Sequence, residues 1–313
     1  MTRCARTGIA PFFPIVTPQS TLATLAHGLV FLFRLPLFLT YALSYFLLFH
    51  YLPLPVVARK IALWGLMAIP GIWWIDLQLD GVKRGTLSEQ PPQRVPHAGS
   101  VIASNFTSPI DAIYLAAVFD PVFTVSYPNT RRLQRIGLLG AVLKALGPVC
   151  TSPPKGARLV DIQDLIKEHP NRVIAIFPEC GTTNGKAILS LSPALAQCPS
   201  WVHIFPLSLR YTPSDVTTPV PGKWLTFFWN LLSRPTTCIR VRIAQGHQTD
   251  IDNPKHDAQP LRQRNTQVAA TLPHEQQFLD RIAEALARLG RVKRVGLTMY
   301  NKAEFVAALK QQK

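Results

Sequence analysis

Acidic residues are scarce in this sequence and absent from its beginning. No Asp or Glu occurs before Asp76, and the 313-residue chain has 17 acidic side chains against 33 Lys and Arg. The net charge of +16 indicates an anionic partner, such as an acidic membrane surface, a phosphorylated substrate or a nucleic acid. Charge by itself does not choose among these three.

Paired cysteines are also missing. The five cysteines are scattered without a C-x-x-C spacing, so the sequence shows neither the ligand pattern of a zinc site nor a disulfide framework. We therefore expect no metal, and we infer a reducing, cytosol-facing environment. A cleavable signal peptide is not indicated, because Pro11 and Pro14 interrupt the segment that follows Arg3 and Arg6.

The N-terminal quarter is strongly apolar. Residues 35–58 carry no charged side chain, and a second apolar run, residues 61–75, follows Arg59 and Lys60. We predict a membrane-embedded helical segment over residues 1–78, either as a helix that spans the bilayer or as a hairpin that dips into one leaflet. A buried pair of helices in a soluble protein is the third possibility.

The remaining sequence alternates between strand and helix patterns, which predicts an α/β domain over residues 79–245. Residues 246–313 are predicted to form a polar loop, 246–273, and a C-terminal helical region. The predicted strands are residues 100–104, 121–126, 172–177, 202–209 and 237–244, and the predicted helices are residues 109–119, 131–146, 160–168 and 274–289.

A helix-capping pattern follows the first predicted strand, in residues 105–111 (N-F-T-S-P-I-D). Ser108 is a good N-cap, Pro109 suits the first helical position, and Asp111 completes a variant of the capping box. Capping alone explains these three residues. A helix start after a buried strand is nevertheless also a binding site for anions.

A second polar turn follows the strand predicted at residues 172–177. It reads F-P-E-C-G-T-T-N-G over residues 177–185 and offers backbone N–H groups, two hydroxyls and an amide to a phosphate. An ordinary turn between a strand and the next element has the same composition. Read alone, this turn does not decide between the two interpretations.

Together the two segments resemble the motifs of the glycerolipid acyltransferase family, and most closely its fungal lysophosphatidate:oleoyl-CoA acyltransferase branch. The family motifs are N-H-x-S-x-x-D and F-P-E-G-T-R/T-S/N. Residues 131–147 look like the helix before the second family motif, and residues 205–207 (F-P-L) look like the fourth. The resemblance covers about residues 80–245 and implies a mixed central sheet flanked by helices.

The resemblance also implies a function. It implies transfer of an acyl chain from acyl-CoA to a lysophospholipid, lysophosphatidate above all, at the endoplasmic reticulum or lipid droplet, with the catalytic domain facing the cytosol. The implied partners are acyl-CoA as co-substrate, the lysophospholipid and a membrane with anionic lipids. We expect no cofactor and no nucleic-acid partner.

The implied site has one departure from the family pattern. The family's general base is the first-motif His, oriented by the Asp five residues later. Phe106 takes the His position here and cannot accept a proton, which leaves Asp111 as the expected catalytic residue. The substrate-binding residues that the resemblance implies are Asn105, Thr107, Ser108, Glu179, Gly181, Thr182, Thr183 and Asn184, with Lys155 in place of the second-motif Arg.

Several interpretations stay open at this point. Cys180 is either an acyl-accepting nucleophile or a packed thiol, and His203 is either a base or a core histidine. Asp111 itself would act as a base if burial raised its pKa. The apolar residues Trp224–Leu232 line an acyl channel, rest on the membrane or belong to the core. Loss of the His also leaves a non-catalytic lipid-binding or scaffold protein as the alternative function.

Overall fold

The computed structural model describes residues 9–18, 20–49, 52–82, 86, 90–249 and 272–311. Most of the polar loop predicted at residues 246–273 lies outside the described residues.

The chain begins with an apolar helical hairpin. Helix α1, Thr21–Ser44, continues into a π-helical turn, Tyr45–Phe49, and α2, Val56–Ala68, runs back along the domain. The 29 residues from Thr21 to Phe49 are long and apolar enough to cross a membrane by length and composition. Only 6% of their most apolar stretch is buried, so the outer side of α1 is open to the surroundings.

The inner side of α1 contacts the domain along most of its length. Phe31 and Phe38 pack against aromatic rings of a later helix, α6 (Trp224–Leu232). Between them, the Arg34 guanidinium donates to the backbone oxygens at Pro70 and Pro235, at 3.3 and 3.0 Å. Because these contacts run along the helix, the described arrangement places α1 lengthwise on the domain surface.

The domain is built on an eight-stranded mixed sheet. Its strands are β1 Trp74–Leu79, β2 Val101–Ser104, β3 Val122–Val125, β4 Leu133–Ile136, β5 Leu159–Val160, β6 Ile174–Phe177, β8 Ile204–Thr212 and β9 Cys238–Ile243. They are arranged in the order β1-β9-β8-β2-β6-β3-β4-β5. The central strands, β8, β2, β6 and β3, are parallel neighbours. On one side β9 pairs antiparallel to β8 and β1 pairs parallel to β9; on the other side β4 and β5 pair antiparallel. A separate two-stranded sheet pairs β7, Ala187–Ile188, with β10, Lys293–Arg294.

Helices cover both faces of this sheet. Besides α1, α2 and α6, the helices are α3 Pro109–Phe119, α4 Leu138–Leu146, α5 Ile162–Glu168, α7 Pro273–Gly290 and α8 Met299–Gln311. One core layer against the sheet is formed by apolar residues of α1, α2, α3, α4 and α6, and the other by residues of α5 and α7. The expected α/β architecture, with a mixed central sheet flanked by helices, is confirmed.

One predicted element is wrong, and four strands were missed: β1, β5, β7 and β10. The helix predicted at residues 131–146 begins only at Leu138, because residues Leu133–Ile136 pair with β3 as an antiparallel strand. Similarly, the helix predicted from residue 160 begins at Ile162. Strand β1 was not predicted, and it crosses the proposed domain boundary at residue 78, which stays a prediction.

The parallel strands give the sheet two distinct edges. At the carboxyl edge, β2 and β6 run into the two polar segments found in the sequence. At the opposite, amino edge lie the C-terminal end of α3, the start of α4, the π-helical turn after α1 and the first half of α2. Binding sites of α/β sheets usually lie at the carboxyl edge.

Candidate active site

The two polar segments are in direct contact because they follow neighbouring parallel strands. The Thr183 backbone N–H donates to the Phe106 carbonyl oxygen at 2.9 Å. The Phe106 ring stacks on the ring of Phe177, with centroids 4.1 Å apart. Phe106 is 2% exposed, so an aromatic pair fills the position where the related motif holds its base.

Asp111 lies at the centre of the first segment and is fully buried. Its Oδ2 accepts hydrogen bonds from the backbone N–H groups of Thr107 and Ser108, at 2.6 and 2.9 Å, and from the Thr107 hydroxyl at 3.1 Å. Its Oδ1 accepts from the Tyr211 hydroxyl. Burial raises the pKa of Asp111 to about 6, although these hydrogen bonds favour the charged form. Both carboxylate oxygens are therefore engaged, Oδ2 with the start of α3 and Oδ1 with β8.

Glu179 opens the second segment and is 1% exposed. Its Oε2 accepts from the Leu189 backbone N–H at 3.3 Å, whereas its Oε1 is buried and has no hydrogen-bond partner among the described residues. Burial raises the pKa of Glu179 to about 8, with a smaller contribution from the negative charge of Asp111. A buried carboxylate oxygen without a partner is costly, and carboxyls with strongly shifted pKa values are concentrated at functional sites.

A lysine from the C-terminal helix completes the site. Lys302 on α8 is 3% exposed, and its Nζ donates to the Thr182 carbonyl oxygen at 2.5 Å and to the Thr182 hydroxyl at 3.1 Å. Burial lowers the pKa of Lys302 to about 7, and the charge of Glu179 opposes that change. The same helix approaches the turn closely, because a Cβ at Gly181 would lie 2.8 Å from the Met299 sulfur.

The other predicted residues of the first segment make internal hydrogen bonds. The Asn105 side chain exchanges two hydrogen bonds with the backbone of Leu209, at 2.9 and 2.7 Å, and so ties β2 to β8. The Ser108 hydroxyl donates to the Val216 carbonyl oxygen at 3.1 Å. These contacts position the segment whether or not it also binds a substrate.

The second segment is covered by the N-terminal residues of the described chain. The Asn184 side chain donates to the carbonyl oxygens of Ala10 and Phe13, at 2.7 and 2.8 Å, and its backbone N–H donates to that of Pro11 at 2.9 Å. Thr183 is fully buried beneath this cover. The carboxyl edge is therefore closed on this side in the described conformation.

Three other residues considered from the sequence add no reactive group to this centre. Lys155 is exposed and makes no hydrogen bond or ion pair with the described residues, so its role stays a prediction. His203 precedes β8 and lies at the amino edge, beside the ring of His97. Cys180 is buried, and burial raises its pKa to about 12, which keeps the thiol protonated and unreactive as a nucleophile.

A cavity of about 380 Å³ lies beside the closed site. Its lining includes the start of α1, the α6 residues Phe227 and Trp229, and the loop of residues 215–220. This loop separates the cavity from both segments, because the Thr218 backbone N–H donates to the Thr107 carbonyl oxygen at 2.8 Å and the Thr218 carbonyl oxygen accepts from the Thr182 hydroxyl at 2.7 Å. The aromatic segment Trp224–Leu232, which forms α6, packs on the core and also borders this cavity.

Comparison with known proteins gives one similarity that spans nearly the whole chain. The sequence is 25% identical over 312 residues to a Schizosaccharomyces pombe protein named "Putative lysophosphatidic acid:oleoyl-CoA acyltransferase", covering 96% of this chain and 94% of that protein. The chain is similar to a protein named as an acyltransferase. No family model matches the sequence. No solved structure matches it either.

Two site residues were not found from the sequence. Tyr211 lies on β8, and Lys302 lies far outside the stretch that resembles the acyltransferase motifs. Each reaches the site through a long-range contact, over 100 and 120 residues of sequence separation respectively. Neither carries a local pattern that marks it as functional.

Proposed function

We propose that this protein is an acyltransferase that moves an acyl chain from acyl-CoA to the free hydroxyl of a lysophospholipid, and that lysophosphatidate is the acceptor. The similarity to the S. pombe protein supports the reaction class. The observation that carries the proposal is the buried Glu179 carboxyl, with one unpartnered oxygen beside a turn of hydroxyl and amide groups.

Glu179 takes the role of proton acceptor in this proposal. The acceptor hydroxyl attacks the thioester carbonyl carbon, and its proton passes to the Glu179 carboxylate as the new C–O bond forms. The tetrahedral intermediate then breaks its C–S bond, and the departing CoA thiolate takes that proton from Glu179. The ester and free CoA are the products, and Glu179 returns to its starting charge.

Asp111 has a supporting role in the same proposal. Its four hydrogen bonds leave no oxygen free to accept the substrate proton, whereas Glu179 keeps one. Asp111 holds the backbone of Thr107 and Ser108, and with them the start of α3, at the wall of the site. The positive end of that helix lies where the negative charge of a phosphate or of the tetrahedral oxygen is stabilised.

The substrate reaches the site from the neighbouring cavity. Its apolar lining, which includes Ile15 and Phe227, suits an acyl chain, and Lys223 at its border suits a phosphate. Since the loop of residues 215–220 lies between cavity and carboxylates, this loop moves aside during turnover. The Thr182 hydroxyl, which donates to the Thr218 carbonyl oxygen, is exposed to the acceptor once it does.

The reaction is tested with the full chain purified in a mild detergent. Labelled oleoyl-CoA is supplied with lysophosphatidate, lysophosphatidylcholine or lysophosphatidylserine, and the labelled phospholipid is quantified. We expect rapid transfer to lysophosphatidate and slow transfer to the other two acceptors. Transfer at the rate of the protein-free control with every acceptor would contradict the proposal.

A non-catalytic lipid-binding or scaffold role is favoured by one observation. The Phe106 ring stacks on Phe177 and fills the base position with an apolar side chain. Under this second proposal the wild-type protein has no transferase activity, and Phe106→His introduces it by placing an imidazole near Asp111. Under the first proposal the wild type is active, and Phe106→His lowers its stability because a polar ring replaces a buried stacked one. The oleoyl-CoA assay of both chains, with melting temperatures, separates the two.

We also propose that the α1–α2 hairpin lies in one leaflet of the membrane rather than crossing it. Helix α1 packs lengthwise on the domain, so a crossing would draw the charged domain into the bilayer. Its outer side exposes a leucine stripe that includes Leu25, Leu29 and Leu32, each more than 70% exposed.

Vesicle flotation tests this orientation. We expect Leu29→Asp to reduce binding to phosphatidylcholine vesicles at least tenfold without lowering the melting temperature, because Leu29 touches little of the protein. Leu272→Asp, at an exposed leucine before α7, is the matched control and is expected to float like the wild type. Equal flotation of Leu29→Asp and the control would contradict the proposed orientation.

A further inference from the structure

A second cavity lies at the amino edge of the sheet, away from both motif segments. It has a volume of about 530 Å³ and lies between the end of α1, α2, the C-terminal end of α3 and the start of α4. Four arginines line it: Arg59, Arg135, Arg158 and Arg172. Asp120 and Glu168 are its only acidic lining residues, so the described lining carries two positive charges in excess.

The two carboxylates form ion pairs with only three of these four arginines. Arg59 and Arg172 both pair with Asp120, and Arg172 also donates to the Asp120 and Pro121 carbonyl oxygens at 2.9 and 3.2 Å. Arg59 thereby ties α2 to the end of α3, and Arg172 ties the residues before β6 to it. Among the described residues the Arg135 side chain makes one ion pair, to Glu168 at 3.1 Å, and it is 46% exposed.

Arg158 remains without a partner. It is exposed at the rim of the cavity and makes no hydrogen bond or ion pair with the described residues. A guanidinium in this position presents its donors to whatever enters the cavity. Since the single ion pair of Arg135 leaves further N–H groups of its guanidinium unused, the cavity presents two guanidinium groups to an anion.

The start of α4 adds uncapped backbone donors to the same wall. Its N-cap is Gly137, which lines the cavity and provides no side-chain cap for the first N–H groups of this nine-residue helix. A Cβ at Gly137 would meet no atom within 4 Å, so the space beside this N-cap is open. Free N–H groups at a helix start bind phosphate and other anions.

A buried hydroxyl without a partner lies at the inner end of the cavity. Tyr45 lines the cavity and is 1% exposed, and its hydroxyl has no hydrogen-bond partner among the described residues. Leaving a buried hydroxyl unpaired costs free energy, which a ligand oxygen in the cavity would recover. The Tyr45 hydroxyl is therefore a further donor in the cavity, in addition to the arginines and the helix start.

From these groups together we propose that the amino-edge cavity binds a lipid whose headgroup is a phosphomonoester, at a site separate from the proposed acyl-transfer site. Arg158, Arg135 and the start of α4 hold the phosphate, and the Tyr45 hydroxyl donates to a headgroup oxygen. The turn after α1 exposes Leu47 and Leu48, so the cavity opens beside an apolar surface that reaches lipid. The apolar lining residues Leu63 and Leu138 lie next to the glycerol and the first methylenes.

Binding is measured without any turnover. The purified full chain is titrated in neutral detergent micelles that contain phosphatidate or phosphatidylcholine, and binding is followed by the shift in melting temperature. We expect phosphatidate, whose terminal phosphomonoester has three free oxygens, to raise the melting temperature. We expect phosphatidylcholine to leave it unchanged, because its phosphate is a diester that carries a cationic choline. Arg158→Gln is expected to weaken the phosphatidate affinity about tenfold, as loss of a charged hydrogen bond does. Arg291→Gln removes the same charge from an exposed position outside the cavity and is expected to bind like the wild type.

Tyr45→Phe is the sharper variant, because it removes only the unpaired hydroxyl. In the absence of ligand its melting temperature is expected to equal or exceed that of the wild type, whereas its phosphatidate affinity falls about tenfold. A parallel titration with inorganic phosphate shows whether the lipid is needed: a shift that is lost in Tyr45→Phe extends the site to free phosphate. Wild-type affinity in Tyr45→Phe, or equal losses in Arg158→Gln and Arg291→Gln, would overturn the proposal while leaving the acyl-transfer proposal standing.

Discussion

Replacing Glu179 by Gln is expected to lower kcat for acyl transfer by about 10² to 10⁴, the range that general-base catalysis contributes. The amide has nearly the shape of the carboxyl and keeps an acceptor for the Leu189 N–H, which Glu179 now holds at 3.3 Å. It cannot take the acceptor's proton near neutral pH. The measurement is the initial rate of oleoyl transfer to lysophosphatidate at saturating substrates, with KM determined alongside.

The stability of the same variant separates lost chemistry from lost folding. The folded-state pKa of Glu179 is raised from 4.5 to about 8, so the carboxyl stabilises the fold below pH 4.5, and that contribution is lost as pH rises through 8. We therefore expect Glu179→Gln to melt at the wild-type temperature or above it at pH 8.5. Lost turnover together with a lowered melting temperature at that pH would indicate a structural role instead.

Asp111→Ala is expected to lower the free energy of unfolding by about 3 to 5 kcal/mol, a larger loss than any other single change proposed. The substitution removes the capping box of α3 and leaves the N–H groups of Thr107 and Ser108 unpaired in the core. It also strands the hydroxyl of Tyr211. Chemical denaturation followed by tryptophan fluorescence measures the loss.

A pair of milder variants shows where that loss arises. Asp111→Asn keeps one side-chain oxygen, which accepts either from Tyr211 or from the N–H groups of Thr107 and Ser108. Its free energy of unfolding is expected to fall less than that of Asp111→Ala. Tyr211→Phe removes the opposing hydroxyl alone, which tests how much the buried Oδ1 contact contributes. Wild-type stability in Asp111→Ala would show that the start of α3 does not depend on this carboxylate, and would contradict its assigned supporting role.

The local signals in the sequence predicted the elements that carry the site. Helix α3 has the predicted bounds because Ser108, Pro109 and Asp111 act at its first turn, and the hydrophobic runs became the central parallel strands. The turn after β6 was recognised by its composition, and its contact with Phe106 follows from the neighbouring positions of β2 and β6.

Long-range pairing is what the sequence could not show. Residues 133–136 have a helical pattern of apolar residues but form a strand, since pairing with β3 and β5 on either side satisfies their backbone. Lys302 likewise carries no sign of function until α8 folds over Thr182. The expected roles of Asn105 and Asn184 in substrate binding stay predictions, because both side chains make internal hydrogen bonds in the described conformation.

The rate of acyl transfer as a function of pH tests the role of Glu179 most directly. Oleoyl transfer to lysophosphatidate by the wild-type chain is measured from pH 5.5 to 9.5, with the protein-free hydrolysis of oleoyl-CoA subtracted. Because the pKa of Glu179 is raised to about 8, we expect kcat to rise with pH and to reach half its maximum near pH 8. A half-maximum near pH 6 would assign the proton transfer to Asp111, whose pKa is about 6, and a rate equal to the background at every pH would contradict catalysis altogether.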